Sequence, residues 1–270
     1  MSIFVCATCG TAYPESESEP PDCPICEDPR QYVPEEGQRW TTLDEVRSSH
    51  KNEIRDDEEL LGIGVEPWFA IGQRALLVPF GDSNIMWDCV HLVDDAAAEE
   101  VERRGGLAGV AISHPHYYTG MIEWAHRFGC PVYIHAADGR WIMRPDPAVE
   151  LWEGDAKELG HGVTLLRGGG HFDGGAVLHW AGGAGGRGAL LSGDIVQVIP
   201  DRGHVSFMYS YPNLIPLPAA EVERIARTLE PYDYETLYGA WWGRFISSDA
   251  KRIVERSAER YVRVLAGDLP

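Results

Sequence analysis

Eight residues of this 270-residue chain have types and spacings suited to holding metal ions. Four of them are Cys6-Ala-Thr-Cys9 and Cys23-Pro-Ile-Cys26, two CxxC pairs with 13 residues between them. Each pair can present two thiolates from a tight knuckle, and two knuckles complete a tetrahedral site whose commonest occupant is zinc. Residues 1–35 hold too few apolar groups to fold without such a staple. The other four are dispersed. His114-Pro115-His116 follows the apolar run Leu107 to Ile112; in an extended backbone, side chains two apart share a face, so both imidazoles can reach one metal at a strand's end. His171 follows Gly168-Gly169-Gly170, and Asp194 closes Leu190-Leu191-Ser192-Gly193-Asp194. Glycine before each lets the backbone turn and expose a ligand. The remaining histidines show no ligand spacing, although His204 follows Asp194 on a loop. Cys89 and Cys130 read as small buried hydrophobes.

The elements that must position these groups are legible in part. Residues 11–22, TAYPESESEPPD, read as a solvated loop between the cysteine pairs. Thr42 and Glu45 form a capping box that opens a short helix, and Asp56-Asp57-Glu58-Glu59 reads as an exposed linker. From Pro67 onward short apolar strands are predicted at Trp68–Ile71, Ala75–Val78, Asn84–Val90, Leu107–Ser113, Pro131–His135, Val163–Arg167, Ala176–Trp180, Ala189–Gly193 and His204–Tyr209. Helices are predicted at Asp95–Arg104, Met121–Phe128, Ala219–Leu229 and Asp249–Leu265. The glycine-rich run 182–188 lacks a phosphate-loop ending and reads as a hairpin turn. The expected class is therefore layered α/β, with residues 1–36 a cysteine-rich appendage, 37–66 an acidic linker with a short helix, and 67–270 the main domain.

Composition narrows the partners. The formal charge is −19, and residues 1–60, with 15 acidic against 5 basic residues, carry −10 of it. Nucleic acid and anionic membranes need a net positive face, so neither is expected; the expected partner is a small-molecule substrate, with a homo-oligomer left open. Six cysteines are too few for a disulfide scaffold at this length. No apolar run reaches membrane-spanning length, and the start, MSIFVCATCG, lacks the features of a signal peptide. A cytoplasmic location is the resulting expectation.

The order strand, HxH, Gly-His, Ser-Gly-Asp over residues 67–270 resembles the metallo-β-lactamase fold superfamily of hydrolases and oxidoreductases, which implies an αββα sandwich. The cysteine knuckles resemble those of rubredoxins, where four thiolates hold iron. Glu27 stands where rubredoxins usually have Gly and the intervening loop is short, which favours zinc in a structural role. The resemblance makes Asp88, at the end of an early strand, the residue that supports a metal-binding histidine. The superfamily's HxHxDH motif reads here His114-Pro115-His116-Tyr117-Tyr118-Thr119, with Tyr118 in place of Asp and Thr119 in place of the third His. The final Gly-His turn matches Tyr238-Gly239-Ala240-Trp241, which has no His. All four groups that touch the family's first metal are present as His114, His116, His171 and Asp194, and the three belonging only to the second are replaced. The two-metal arrangement is thus reduced to one metal. Tyr118 then either hydrogen-bonds substrate or plugs the second metal's place. Trp241, Trp242 and Arg244 would lie nearby, Arg244 either pairing with a substrate anion or making a structural salt bridge. The stretch Phe207 to Asn213 reads as pocket wall or ordinary core.

Three chemistries stay open. Three imidazoles on zinc lower the pKa of a bound water to about 7 and supply hydroxide to an ester, thioester or amide carbonyl, with Asp194 orienting the water or taking its proton. If Asp194 itself binds a tetrahedral zinc, the site closes and catalysis needs five-coordination. Six-coordinate iron removes that conflict: His114, His171 and Asp194 make a two-His, one-carboxylate set, and the resemblance extends to persulfide dioxygenases that use the corresponding residues. A catalytically reduced binding module is the third reading. The leading expectation is a single-metal hydrolase-like enzyme.

Overall fold

Apolar runs broken by glycine, proline or acidic residues favour short strands. The computed structural model describes residues 1–268 and gathers these strands into two units, Met1–Trp152 and a second beginning at Glu153. The first opens with β1 (Ser2–Cys6), the centre of a three-stranded antiparallel sheet with β2 (Ala12–Ser16) and, after the short helix α1 (Pro24–Glu27), β3 (Trp40–Thr42). α1 carries the second cysteine pair, and its first residue is Pro24, where a missing N–H costs nothing. α2 (Leu43–Ser49) begins with the expected capping box: Thr42 Oγ1 accepts the Glu45 N–H at 3.2 Å, and the Glu45 carboxylate accepts the Thr42 N–H at 2.8 Å. The apolar cluster beneath is small, Val5, Ala12 and Leu43 with Ile3 and Phe69 against them.

A seven-stranded sheet follows, built from β4 (Lys51–Asp57), β5 (Leu60–Glu66), β6 (Ala75–Phe80), β7 (Ser83–Trp87), β8 (Leu107–Ala111), β9 (Val132–His135) and β10 (Val149–Trp152), in the order β10-β9-β8-β7-β6-β5-β4. Helix α3 (Asp95–Arg103) is capped by Asp94, whose carboxylate accepts the Ala97 N–H at 2.8 Å, and α4 (Met121–Phe128) lies on β8 and β9. Strands β7 to β10 are parallel, so the segments after β7 and β8 leave the sheet at one edge. Asp88 and Ser113–His116 occupy those segments.

Three expectations are corrected here: residues 12–16, read as part of a solvated loop, form β2 with Ala12 and Tyr13 buried. Residues 51–66 are not linker: β4 and β5 pair from Lys51–Glu66 to Asp57–Leu60 and form the sheet's end. The acidic run is the tip of that hairpin, and its Asp57 is buried against the Arg74 guanidinium at 3.0 Å. Charges on β4 suit an edge strand, where they discourage further pairing. Residues 68–71, expected as a strand, form turns, with Trp68 72% exposed.

The second unit is a six-stranded sheet in the order β11-β12-β13-β14-β19-β20. Its antiparallel part is β11 (Ala156–Gly160), β12 (Val163–Arg167), β13 (Ala176–Trp180) and β14 (Ala189–Leu191). The glycine run between β13 and β14 is the expected turn and contains the short helical turn α5 (Gly183–Gly186). Two small ribbons come next, β15 (Gln197–Val198) with β16 (Val205–Ser206) and β17 (Met208–Ser210) with β18 (Ile215–Pro216). Helix α6 (Ala219–Leu229) precedes β19 (Thr236–Tyr238), β20 (Phe245–Ile246) and the last helix, α7 (Ala250–Leu265). α6 packs on α7 and β12, and α7 on β19. Leu166, Val177, Leu190, Ile225 and Val254 are among the buried residues of this core, each contributing about 1.5–3 kcal/mol of burial free energy.

Candidate metal centres

The two knuckles bring all four thiols together. Cys6 Sγ lies 3.6 Å from Cys26 Sγ and Cys9 Sγ lies 3.7 Å from Cys23 Sγ. All four are buried and none is in a disulfide. Gln38 Nε2 donates to Cys6 Sγ at 3.1 Å. Their protonation states are interdependent: the side chains of Cys23, Cys26 and Cys6, reinforced by burial, hold the Cys9 thiol well above its ordinary range. Cys23, Cys26 and Cys9 together lower that of Cys6. Four sulfurs this close cannot all be ionised without a cation, and four buried thiolates are the donor set of a closed zinc site. The first knuckle turns at Gly10, where φ is +82° and a Cβ would collide with the imidazole of His91. His91 is itself buried, and its pKa is pushed down to about 3 chiefly by burial, so it is neutral in the fold.

His114 and His116 are buried beyond the end of β8. Only His114 is extended; Pro115–Tyr117 form one 3-10 turn, so it is this turn and not a continuous strand that sets the two rings 5.0 Å apart. Asp88 supports His114 at one remove. Its carboxylate accepts the Ser113 N–H at 2.8 Å and also bonds the Ser113 side chain, while Ser113 Oγ lies 2.8 Å from His114 Nδ1. That chain assigns the proton to Nδ1 and leaves Nε2 to face a metal. Asp88 sits at φ +61°, held there by its own N–H to the Ala111 carbonyl at 2.8 Å. Tyr118 is buried, and burial, with the charge of Asp138 adding, raises its pKa well above the ordinary value. Its phenol therefore stays protonated. Thr119 is buried, one residue before Gly120, the N-cap of α4.

Burial raises the Asp88 pKa to about 7, against the smaller opposing effects of Ser113 and Arg74. The unfolded chain ionises near 3.9, so between these values the folded state holds the extra proton. The stability Asp88 contributes is then full below pH 4 and is lost as pH rises to about 7. With no metal at the histidine site, unfolding of the wild type should lose about 3 kcal/mol between pH 5 and pH 8 relative to Asp88→Asn. Parallel stability curves for the two proteins in denaturant titrations would refute the assignment.

In the second unit, Gly169 and Gly170 take φ of +62° and +78° and deliver His171, and Gly193 at +50° delivers Asp194. Both residues are buried. The stretch after β16, read from sequence as wall or core, grips both: His171 Nδ1 lies 2.7 Å from the Tyr209 carbonyl, and the Tyr211 hydroxyl donates to the Asp194 carbonyl at 2.6 Å. The first contact again fixes the tautomer with Nε2 as the ligand atom. β14 and β19 are parallel neighbours, and the Ser192 N–H donates to the Tyr238 carbonyl at 2.9 Å. The Gly239–Arg244 turn, which carries Trp241 and Arg244, therefore starts beside the turn that carries Asp194. It is closed by Gly239 N–H to Arg244 O at 2.7 Å and Arg244 N–H to Trp241 O at 3.0 Å. His204 pairs instead with Asp201 at 2.8 Å.

His114 and His116 belong to the first unit and His171 and Asp194 to the second, and all four are buried. Three imidazoles and a carboxylate, all buried, are a donor set that suits zinc or ferrous iron. One contact escaped the sequence entirely: the buried Gln73 amide donates from Nε2 to the Cys9 carbonyl at 2.8 Å and to the His116 carbonyl at 2.9 Å.

These sheets, helices and histidine–aspartate group define a protein of the metallo-β-lactamase fold. Solved structures of that fold match most of the chain. The DIM-1 metallo-β-lactamase exposed to ceftazidime is 15% identical with a TM-score of 0.58, covering 77% of this chain and 97% of that one. The mono-zinc form of FIM-1 from Pseudomonas aeruginosa is 14% identical with a TM-score of 0.56, covering 78% and 96%, and a metallo-β-lactamase from Hirschia baltica is 18% identical at 0.53, covering 78% and 97%. The likeness is one of fold. No protein-family model matches the chain. The chain belongs to the same family as the uncharacterized protein YmaE of Bacillus subtilis (strain 168), with 44% identity over 272 residues that span 100% of this chain and 99% of that protein.

Proposed function

We propose that this protein is a hydrolase that works with one metal ion at His114, His116, His171 and Asp194 on an ester, thioester or amide of a small molecule, with zinc at the four cysteines in a structural role. What supports the reading is selective retention in the sequence: His114, His116, His171 and Asp194 match the ligands of one metal in the family the chain resembles, while Tyr118, Thr119 and the Ala240–Trp241 pair match the sequence positions of the second metal's ligands. A metal held here polarises a carbonyl and lowers the pKa of bound water toward 7. The chain does the rest. Ser113 and Tyr209 fix the histidine tautomers, Tyr211 braces the backbone of Asp194, and the Asp194 carboxylate would orient the attacking water or accept its proton, which requires that the metal take a fifth ligand or that Asp194 leave it. Tyr118, held in its protonated form, donates to the substrate oxygen. Trp241 and Arg244 flank the substrate, Arg244 meeting an anionic group. Six free cysteines suit a reducing, cytoplasmic setting; among the described residues no helix is long and apolar enough to cross a membrane.

The inclusion of Asp194 among the ligands favours a second reading, a persulfide dioxygenase with iron, because six-coordination leaves positions for substrate where tetrahedral zinc does not. A panel of activated esters and thioesters, run on zinc-loaded and iron-loaded protein, separates the two. For the hydrolase, turnover follows zinc, and Tyr118→Phe lowers kcat about 100-fold, the range for loss of one donor to a developing oxyanion, with KM nearly unchanged. Oxygen uptake with glutathione persulfide only after iron loading assigns the dioxygenase. No turnover in either arm leaves a binding module.

A further inference from the structure

Gln73 joins one ligand residue of each candidate metal centre. Its two Nε2 hydrogens go to the carbonyls of Cys9 and His116, at 2.8 and 2.9 Å. The residue is 1% exposed, and its Oε1 is buried without a hydrogen-bond partner. The two carbonyls settle the orientation of the amide, since a flipped one would point an acceptor at two acceptors. An unmatched buried acceptor costs about 1–3 kcal/mol, so the amide is a poor choice for filling space. Both partners lie in short, constrained turns. Cys9 is in the knuckle closed by Gly10 N–H to Cys6 O at 2.8 Å, and His116 is within the single 3-10 turn Pro115–Tyr117. A turn of this kind moves as a unit, so a shift of the Cys9 thiolate is transmitted to its own carbonyl. The path from thiolate to imidazole then runs through one residue: Cys9 carbonyl, Gln73 amide, His116 carbonyl.

We propose that metal binding at the four cysteines and metal binding at the histidine site are thermodynamically coupled, and that Gln73 is the positioning residue that carries the coupling. The inference rests on the reading that both centres hold metal. Filling the cysteine site sets the Cys9 carbonyl, which sets the amide, which holds the backbone of His116 in place. Coupling of this kind is reciprocal: each metal changes the affinity of the other site by the same factor. The four-cysteine segment then works as a control on occupancy of the catalytic centre, and its loss of metal lowers activity without touching a ligand there.

The test uses the full chain and reads affinity. Cobalt serves as the probe, because thiolate-to-cobalt absorption reports the cysteine site and ligand-field bands report the histidine site. Chelator competition gives the histidine-site Kd in wild type, in Cys6→Ser with Cys23→Ser, in Gln73→Leu, and in the combined variant. The cysteine substitutions should weaken the histidine site about 10-fold, a coupling of about 1.4 kcal/mol. Gln73→Leu alone should weaken it similarly, and on that background the cysteine substitutions should add less than 2-fold. An unchanged Kd in the cysteine variant, or an undiminished 10-fold effect on the Gln73→Leu background, overturns the proposal. Where the cysteine variant fails to fold by circular dichroism, stepwise cobalt loading of wild type and Gln73→Leu, cysteines intact, decides. Filling the first site should tighten the second in wild type only, and independent filling in both overturns the coupling. Absence of one cobalt signature from the wild type would instead overturn the two-metal reading.

Discussion

Elemental analysis of protein purified without added metal should return two metal ions per chain, and the Cys6→Ser, Cys9→Ser variant should return one. The same variant should lose the protection of residues 1–49 against hydrogen exchange. The size of the effect follows from what holds this segment. Its own apolar cluster is Val5, Ala12 and Leu43, with Ile3 and Phe69 against it, too little to offset the entropy of ordering so many residues. Closed four-thiolate zinc sites supply apparent binding free energies of about 10–16 kcal/mol, far above anything else available there. Without a metal the four sulfurs must share protons, as the opposed shifts of Cys6 and Cys9 indicate. Zinc binding therefore releases protons, and occupancy should fall as pH is lowered. A wild type with one metal, or a variant whose exchange pattern is unchanged, would remove the staple from the account.

The ligands were readable because their spacing is itself the geometry. Two CxxC pairs in one short segment can close on a single metal, and Gly169, Gly170 and Gly193 announce turns that only glycine makes cheaply. Helices α4 and α6 were also readable to the residue, α4 having Gly129 at φ +63° as its stop. What failed is equally physical. β4 reads as linker because an edge strand carries its charges openly, and the one buried charge, Asp57, is neutralised by Arg74, which lies 17 positions away in sequence. β11 alternates between exposed and half-buried positions and buries nothing fully, so hydrophobic pattern cannot reveal it. The grip of Tyr209 and Gln73 runs through backbone carbonyls. A carbonyl has no side-chain identity, and no sequence pattern marks it as an acceptor.

His171→Ala should reduce hydrolysis by at least about 1,000-fold and cut the metal content from two to one, leaving the cysteine site loaded. Three features make this residue the sharpest probe. It is 1% exposed, so water cannot easily take the vacated position in a new geometry. Its Nδ1 is committed to the Tyr209 carbonyl at 2.7 Å, so the ring is oriented before any metal arrives and the loss removes a preorganised ligand. Its neighbour in the cluster, Asp194, keeps its own brace from Tyr211 and should stay in place, so the effect is local. The expected loss follows from the water's acidity, whose pKa returns from about 7 toward 15.7 without the metal. A graded control distinguishes this from general damage. Tyr211→Phe removes one hydrogen bond to the Asp194 backbone and no ligand, and should cost about 10–100-fold in affinity or activity, the range for outer partners of metal ligands. Equal losses in the two variants would point to a collapsed fold, which the thiolate-to-cobalt band of the cysteine site reports independently. Undiminished turnover in His171→Ala, with the metal count at one, would mean that hydrolysis does not depend on this centre.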